Sequence, residues 1–487
     1  MNSERAPLWA RASDFLALAL VTVAAVTAAS GGFRLRTPIG RIGLTSPRRL
    51  ILWAVALVVV RHLIARQQPV YRHLPALVSR WARAAPLRAA LSAFVGTRPA
   101  IFFVGYLAVI VIGYAPGIGP RPGEPPYRDY DNELLNLPNR WDAGWYLQIA
   151  NPNWGYTYDD RGGAGVQQNI VFWPAFPLTV RVAALLLGNS KGSFPLAGTL
   201  VSLIAFLGAL VYLYALARDH LSEEQSSIAL WLFAAYPFAF FYGAVYTESL
   251  FLLSTAGAFY HLKHRELCRA GLWGLVAGLT RANGCLLAVP LALVAISPWL
   301  PAGIVRAHAS TANDRLESRS AALIPKLAVA AMPCVGTLIY SAFVWTLTGN
   351  PLAWVAGHAA WGRQYTGLTS LVTDRYTFIA NAGVYGYVSQ LPLDLLNAMG
   401  VIFVLVAAWP VARRFGIAYA AFMLINILVP IADGGLLSAG RFSSVLFPAF
   451  FWMASAVPPS HRSGWIATFA ASQALNASLF YTWRPLY

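Results

Sequence analysis

Charge is scarce in this sequence. Only 11% of its 487 residues are Asp, Glu, Lys or Arg, against roughly 25% in a soluble domain. With 57% hydrophobic residues and a mean hydropathy of +0.55, that shortage excludes a soluble enzyme, a disordered chain and a nucleic-acid-binding module. Cysteine is nearly absent. Cys268, Cys285 and Cys334 have neither metal-site spacing nor an evident pairing, so neither a disulfide framework nor a metal centre is expected. Lysine is confined to Lys191, Lys263 and Lys326, and acids number 19 against 36 basic residues, a net charge of +17. The arginines gather at the ends of apolar segments, which fits anchoring to anionic lipid headgroups rather than a DNA footprint. Their preference over lysine, with abundant alanine, points to a GC-rich bacterial genome. No Gly-rich loop able to cradle phosphates is present, which argues against nucleotide chemistry on the cytoplasmic side.

What the chain has instead is apolar runs of 15–27 residues, long enough to cross a hydrocarbon layer of ~30 Å. Candidates lie at 14–30, 50–64, 97–115, 194–217, 226–244, 247–262, 271–297, 322–347, 379–409, 415–432, 441–457 and 465–482. The expected fold is all-α, a polytopic integral membrane protein with about 11–13 transmembrane helices. Residues 1–13 lead into the first run without a clear cleavage pattern, so that helix reads as retained. Between 116 and 169 lies one long polar stretch holding seven of the nineteen acids, among them Asp129, Glu133, Asp142 and Asp159. The arginines of 65–98 place that stretch inside and so deliver 116–169 to the outside. Parity then places Tyr246–Ser249, 348–378 and 433–440 outside as well. Two domains are expected: an N-terminal extension over 1–96 and a transmembrane unit over 97–487.

Some segments resist simple crossing. Both ends of 170–188 fall outside, which suggests a re-entrant or interfacial helix. Both ends of 271–297 fall inside, which suggests two half-helices with Thr280–Gly284 between them. Loop 31–49 carries five arginines, and Arg61 interrupts the run 50–64.

The chemistry must come from polar residues at the outer helix ends. Of eight histidines only His358 is assigned outside, so no histidine metal site and no Ser-His-Asp arrangement is expected. In Arg140-Trp141-Asp142-Ala143-Gly144-Trp145-Tyr146, the positions Trp141, Trp145 and Ile149 recur at i, i+4, i+8. That spacing predicts an amphipathic helix able to lie on a membrane, with Asp142 near its positive end. An ionised Asp142 at the lipid boundary is suited to take a proton from a hydroxyl; an interfacial anchor with an Arg140–Asp142 pair explains the same residues. Glu248 enters an apolar helix and reads either as functional or as an N-terminal acid with Thr247 as cap. Arg281 lies between apolar runs and needs an anion, whether a phosphate or Glu248. Arg363 and Arg441 are interface arginines unless the fold gathers them. Trp361 and His358 suit a sugar site, as does an aromatic belt.

The ordered motifs resemble the PIG-V-like mannosyltransferases. They are Arg140-Trp141-Asp142 with Trp145–Ala150 and Gly155-Tyr156, and Phe172-Trp173-Pro174-Ala175-Phe176-Pro177-Leu178 with Arg181. Tyr246-Thr247-Glu248-Ser249-Leu250-Phe251 and Leu279-Thr280-Arg281-Ala282-Asn283-Gly284 follow. Gly349-Asn350-Pro351-Leu352-Ala353 with Trp361, and Ser438-Ala439-Gly440-Arg441-Phe442, complete the set. Trp173 departs from the family's more usual Phe, and about 95 N-terminal residues are extra. The resemblance implies a GT-C glycosyltransferase with a large first exocytoplasmic loop. Such an enzyme takes a sugar from a polyprenyl-phosphate donor and inverts the anomeric centre without a nucleotide or other cofactor. It implies that the catalytic Asp of that loop is Asp142 and matches Glu248 and Arg281 to the second and third motifs.

The combined expectation is a bacterial plasma-membrane mannosyltransferase with its active site on the exocytoplasmic side. Asp142 and Glu248 form the catalytic group, with Arg281, Arg441, Arg140 and Arg363 on the donor phosphate. Trp145, Tyr146, Trp173, Tyr246, His358 and Trp361 line the sugar and acceptor. Its partners would be the polyprenyl-phosphate sugar, a glycolipid, glycan or protein acceptor, and membrane lipids, without nucleic acid or metal. The alternative is a transporter or flippase of lipid-linked sugars, which needs no base.

Overall fold

Proline sets many of the helix starts. Pro47, Pro86, Pro392, Pro448 and Pro459 each stand in the first turn of a helix, where a missing N–H costs nothing. A computed structural model describes residues 8–30, 33–37, 40–44, 46–65, 84–117, 128–160, 165–297, 323–363, 365 and 367–486. Helix α1 (Leu8–Ser30), an antiparallel hairpin of β1 (Phe33–Thr37) and β2 (Gly40–Leu44), and α2 (Pro47–Ile64) form the N-terminal part. That hairpin is a small departure from an all-α chain. The long polar stretch follows α3 (Ala85–Val111) and carries α4 (Glu133–Asn136) and α5 (Ala143–Ala150). Next come α6 (Ala175–Leu186), α7 (Ser193–Arg218), α8 (Glu223–Ala235), α9 (Glu248–Lys263), α10 (Leu267–Thr280), α11 (Ala288–Ile296) and α12 (Leu323–Thr348). The last third holds α13 (Ala353–Gly357), α14 (Gly367–Gln390), α15 (Pro392–Phe415), α16 (Ile417–Gly434), α17 (Ala439–Ser444), α18 (Pro448–Ala456) and α19 (Pro459–Tyr481).

The chain is a multi-pass helical membrane protein. Among the described residues α3, α7, α12, α15 and α16 are each long and apolar enough to cross a membrane, by length and composition. Several other candidates are broken into shorter pieces. Segment 170–188 yields α6, 12 residues long and so about 18 Å, short for a crossing as the sequence suggests. Segment 271–297 breaks at Arg281, whose backbone is extended (φ −150°, ψ 155°) between α10 and a 3₁₀ turn over Ala282–Leu287. The run 379–409 divides instead at Leu391, and its crossing is α15.

Two arginines, one counted with a loop and one interrupting an apolar run, are held inside the protein. Arg98 lies inside α3, which begins at Ala85 rather than near 97, and is buried. It donates to the carbonyls of Ala239 at 2.7 Å and Ala234 at 2.9 Å, beneath the face of Phe206. A boundary at 96/97 would fall within this helix. Arg61 on α2 pairs with Asp14 on α1 at 3.1 Å, which explains an arginine inside an apolar run. The start of α2 reaches the end of α6 through Arg48, which donates to the Gly188 carbonyl at 2.6 Å.

The position of Arg281 depends on a close approach of α10 and α12. A Cβ at Gly278 would stand 1.9 Å from the carbonyl oxygen of Pro333, so only glycine lets these backbones meet. Gly278→Ala is expected to cost about 1–3 kcal/mol through overpacking and to displace Arg281 one turn away. Thermal unfolding in detergent checks this; an unchanged midpoint contradicts the packing.

Candidate active site

Asp142 is the N-cap of α5, and its side chain is not spent on capping. Trp141 before it adopts a left-handed conformation (φ 55°), which is uncommon for a bulky residue and marks a locally over-determined backbone. The indole N–H of Trp141 donates to the Phe480 carbonyl at 3.2 Å, and its ring packs 5.1 Å from that of Trp483. The Asp142 N–H donates to the Tyr246 hydroxyl at 3.0 Å, and that hydroxyl donates to the Arg140 carbonyl at 3.3 Å. At the other end of α5, Arg181 donates to the carbonyls of Ala150 and Ile149 at 2.8 and 2.6 Å, satisfying acceptors that the helix leaves open.

The interfacial stripe expected of this segment does not form. Trp141 lies outside the helix, and Ala143, Tyr146, Ile149 and Ala150 are buried in the protein core. Helix α5 therefore packs on protein through an i, i+3, i+6, i+7 face. The aromatic spacing looked amphipathic because Trp141 was counted in the same helical register.

Asp142 joins a chain of charges. Arg441 Nη1 lies 3.2 Å from Asp142 Oδ2, while Arg441 Nε donates to Glu248 Oε1. Arg281 Nη1 donates to the same Glu248 oxygen at 2.9 Å. Glu248, the first residue of α9, is fully buried, and Thr247 makes no side-chain cap bond. The acid holds two guanidiniums rather than serving as a simple helix-end charge. Arg441 owes its place to α17, whose N-cap Ser438 is left-handed (φ 61°) and whose Gly440 N–H donates to Asn397 Oδ1 at 2.7 Å. The hydroxyl of Tyr242 anchors the far end by donating to the Ser444 carbonyl at 2.8 Å.

These groups border a cavity of about 970 Å³, within the usual size of a ligand pocket. Asp142, Arg281, Arg363 and Arg441 line it with Trp145, Tyr146, Trp173, Tyr246, His358 and Trp361. Trp145 stacks on Phe172 (5.7 Å, 15°), with Trp361 edge-on at 5.8 Å. Trp173 packs against Trp354 at 5.1 Å. Arg363 donates to the Leu437 carbonyl at 3.1 Å. Asp142 stays about one-third exposed (32%) to this space. Its enclosure raises the carboxyl above its ordinary value, Arg441 pulls it back, and Glu248 pushes it up again. Burial, with Arg363 nearby, holds the His358 imidazole below its ordinary value, and its Nδ1 lies 2.7 Å from the Trp354 carbonyl oxygen.

Two expected site residues stand elsewhere. Arg140 is fully buried behind the cavity, paired with Glu133 at 3.0 Å and donating to the Tyr481 carbonyl at 3.2 Å. It shapes the Trp141 turn and does not face the space where a phosphate would lie; nor does it pair with Asp142. Glu248 lies behind Arg281 and Arg441, not in the lining. Conversely, Asp433, Trp354 and Phe442 line the cavity without having been singled out as site residues. Phe442 adjoins Arg441 within a motif, and Trp354 follows Gly349–Ala353; adjacency was the available signal. Among the described residues no three His, Cys, Asp or Glu converge as a metal site.

Comparison with known proteins bears on the segment that carries most of these residues. Residues 127–299 match the family described as Mannosyltransferase (PIG-V). Human GPI alpha-1,6-mannosyltransferase 2 is 31% identical over 158 residues, 31% of this chain and 30% of that protein. The mouse protein of the same name is 29% identical over 185 residues, 34% of this chain and 36% of its own length. The match thus spans about a third of the curated relatives. Among solved structures, an oligosaccharyltransferase from Archaeoglobus fulgidus aligns with 80% of this chain and 53% of its own, at 13% identity and a TM-score of 0.38. Residues 127–299, with Asp142, Tyr246, Glu248 and Arg281 among them, are similar to the PIG-V mannosyltransferases, the family that the motifs of this sequence resemble.

Proposed function

We propose that this protein is a membrane glycosyltransferase that moves mannose from a polyprenyl-phosphate donor to a hydroxyl acceptor on the exocytoplasmic face. The observation that carries the reading is the partly exposed carboxylate of Asp142, paired with Arg441 in a cavity it shares with the guanidiniums of Arg281 and Arg363. A carboxylate suits a proton acceptor, and fixed cations suit a phosphate leaving group.

In the proposed reaction Asp142 takes the proton of the acceptor hydroxyl. The acceptor oxygen forms a bond to the anomeric carbon as the bond from that carbon to the phosphate oxygen breaks. Polyprenyl phosphate leaves with the electron pair, its charge met by the arginines. One displacement inverts the anomeric centre. The stacked pair Trp145 and Phe172, with Trp361, offers apolar faces for a sugar ring, and Tyr246 holds Asp142 in place through its backbone N–H. Glu248 fixes Arg281 and Arg441 and has no contact with substrate in this scheme. The acceptor is a glycolipid, glycan or protein of a bacterial envelope, and residues ahead of α3 form an extension to the catalytic unit.

The donor is tested by supplying reconstituted protein with radiolabelled polyprenyl phosphate mannose and, in parallel, with labelled nucleotide mannose. Label is expected to move only from the lipid; transfer from the nucleotide sugar would refute the donor.

The raised Asp142 carboxyl gives a pH prediction. The base works ionised, so activity is retained at high pH and falls as the pH drops through the raised value. The acid limb of kcat/KM should therefore lie above the ordinary aspartate value of about 3.9. Removing the opposing cation in Arg441→Gln should move the limb of the residual activity higher still. A limb at the ordinary position, unmoved by that substitution, would count against Asp142 as base.

A further inference from the structure

Phe442 is shared by two guanidiniums. The Arg281 Cζ lies 5.3 Å from its ring centroid and the Arg363 Cζ lies 5.0 Å away. These arginines come from distant parts of the chain and bear like charges, so they repel at this separation unless something holds them. Arg281 has Glu248. Arg363 has no carboxylate within ion-pair distance among the described residues; it donates to the Leu437 carbonyl and feels Asp433 and Asp142 only from farther off. The ring quadrupole is negative on its faces and attracts both cations.

We propose that Phe442 is a positioning residue that seats Arg281 and Arg363 together for the donor phosphate. This rests on the donor-phosphate reading above. Residues 441 and 442 are consecutive on α17, and a helix turns about 100° per residue, so the two side chains serve different directions. Arg441 reaches Asp142 and Glu248, while Phe442 meets Arg281 and Arg363. One short helix thereby organises three guanidiniums contributed by residues 281, 363 and 441. Its placement is exacting: a Cβ at Gly440 would stand 2.1 Å from the ring of Phe238, and Tyr236 bonds Ser443 at 2.8 Å. Arg363, with only the more distant charges of Asp433 and Asp142 and no close ion pair like that of Arg281 with Glu248, depends on the ring more than Arg281 does.

The test measures binding of a polyprenyl phosphate without sugar, and of the matching polyprenol, to protein in lipid nanodiscs. Phe442→Leu keeps an apolar side chain but removes the π face. It is expected to weaken phosphate binding about tenfold while leaving polyprenol binding unchanged. Phe442→Trp should restore phosphate binding. Arg363→Gln should weaken phosphate binding in wild type but add less than about twofold in the Phe442→Leu background, since coupled groups are not additive. Equal loss of both ligands in Phe442→Leu would mean a general structural role and overturn the proposal. So would independent, multiplying effects of Phe442→Leu and Arg363→Gln. Wild-type protein that binds polyprenol as tightly as the phosphate would instead sink the donor-phosphate reading itself, a distinct outcome.

Discussion

Asp142→Asn is expected to lower kcat by about 10³-fold, within the range contributed by a positioned general base, with little change in folded yield. The amide is isosteric and still offers an oxygen to Arg441, now 3.2 Å from the carboxylate. The backbone bond from residue 142 to Tyr246 is untouched. Partial exposure to the cavity lets the new N–H groups find water. Donor affinity should hold or improve, because one negative charge is removed beside the phosphate site. Steady-state kinetics with varied donor separates these quantities. Loss of binding without loss of kcat would make Asp142 a recognition group; an unchanged kcat would exclude it as the base.

Glu248→Gln should have the largest effect on stability. Arg281 and Arg441 are only 8% and 14% exposed, and both lean on one oxygen of this buried acid. The substitution preserves shape but leaves two enclosed cations without their shared anion. Removing one partner of a buried ion pair costs about 3–5 kcal/mol. The unfolding midpoint should fall accordingly, and a polyprenyl phosphate should stabilise the variant more than wild type, since the ligand supplies the missing charge. A second measurement separates charge from packing. A variant with apolar residues at 248, 281 and 441 should be more stable than Glu248→Gln, although inactive. Equal midpoints for wild type and Glu248→Gln would contradict the charge network.

The helical membrane class was legible because charge scarcity and run length are chain-wide properties that no local detail reverses. The break at Arg281 was legible for a related reason: an arginine between apolar runs needs an anion, and here it meets Glu248. Helix ends were less so. Arg98 looks like a loop charge in sequence, yet carbonyls of Ala234 and Ala239, more than 130 residues away, satisfy it within a helix. The register of α5 was obscured because the left-handed backbone at Trp141 leaves no mark on residue spacing. Of the expected cavity residues, Arg140 was misplaced for want of its partner: its pairing with Glu133 depends on how α4 folds back, which the motif does not encode. Phe442 escaped notice because a phenylalanine carries no charge of its own, and its role arises from the two arginines that converge on it.

The most direct test follows radiolabel from polyprenyl phosphate mannose in nanodiscs with a host glycolipid extract, wild type beside Asp142→Asn. Wild type is expected to move label from the lipid phosphate into an acceptor product, and the variant to leave it on the donor. Label remaining on the donor in both, while the intact lipid crosses between leaflets, would contradict it and identify a transporter of lipid-linked sugars instead.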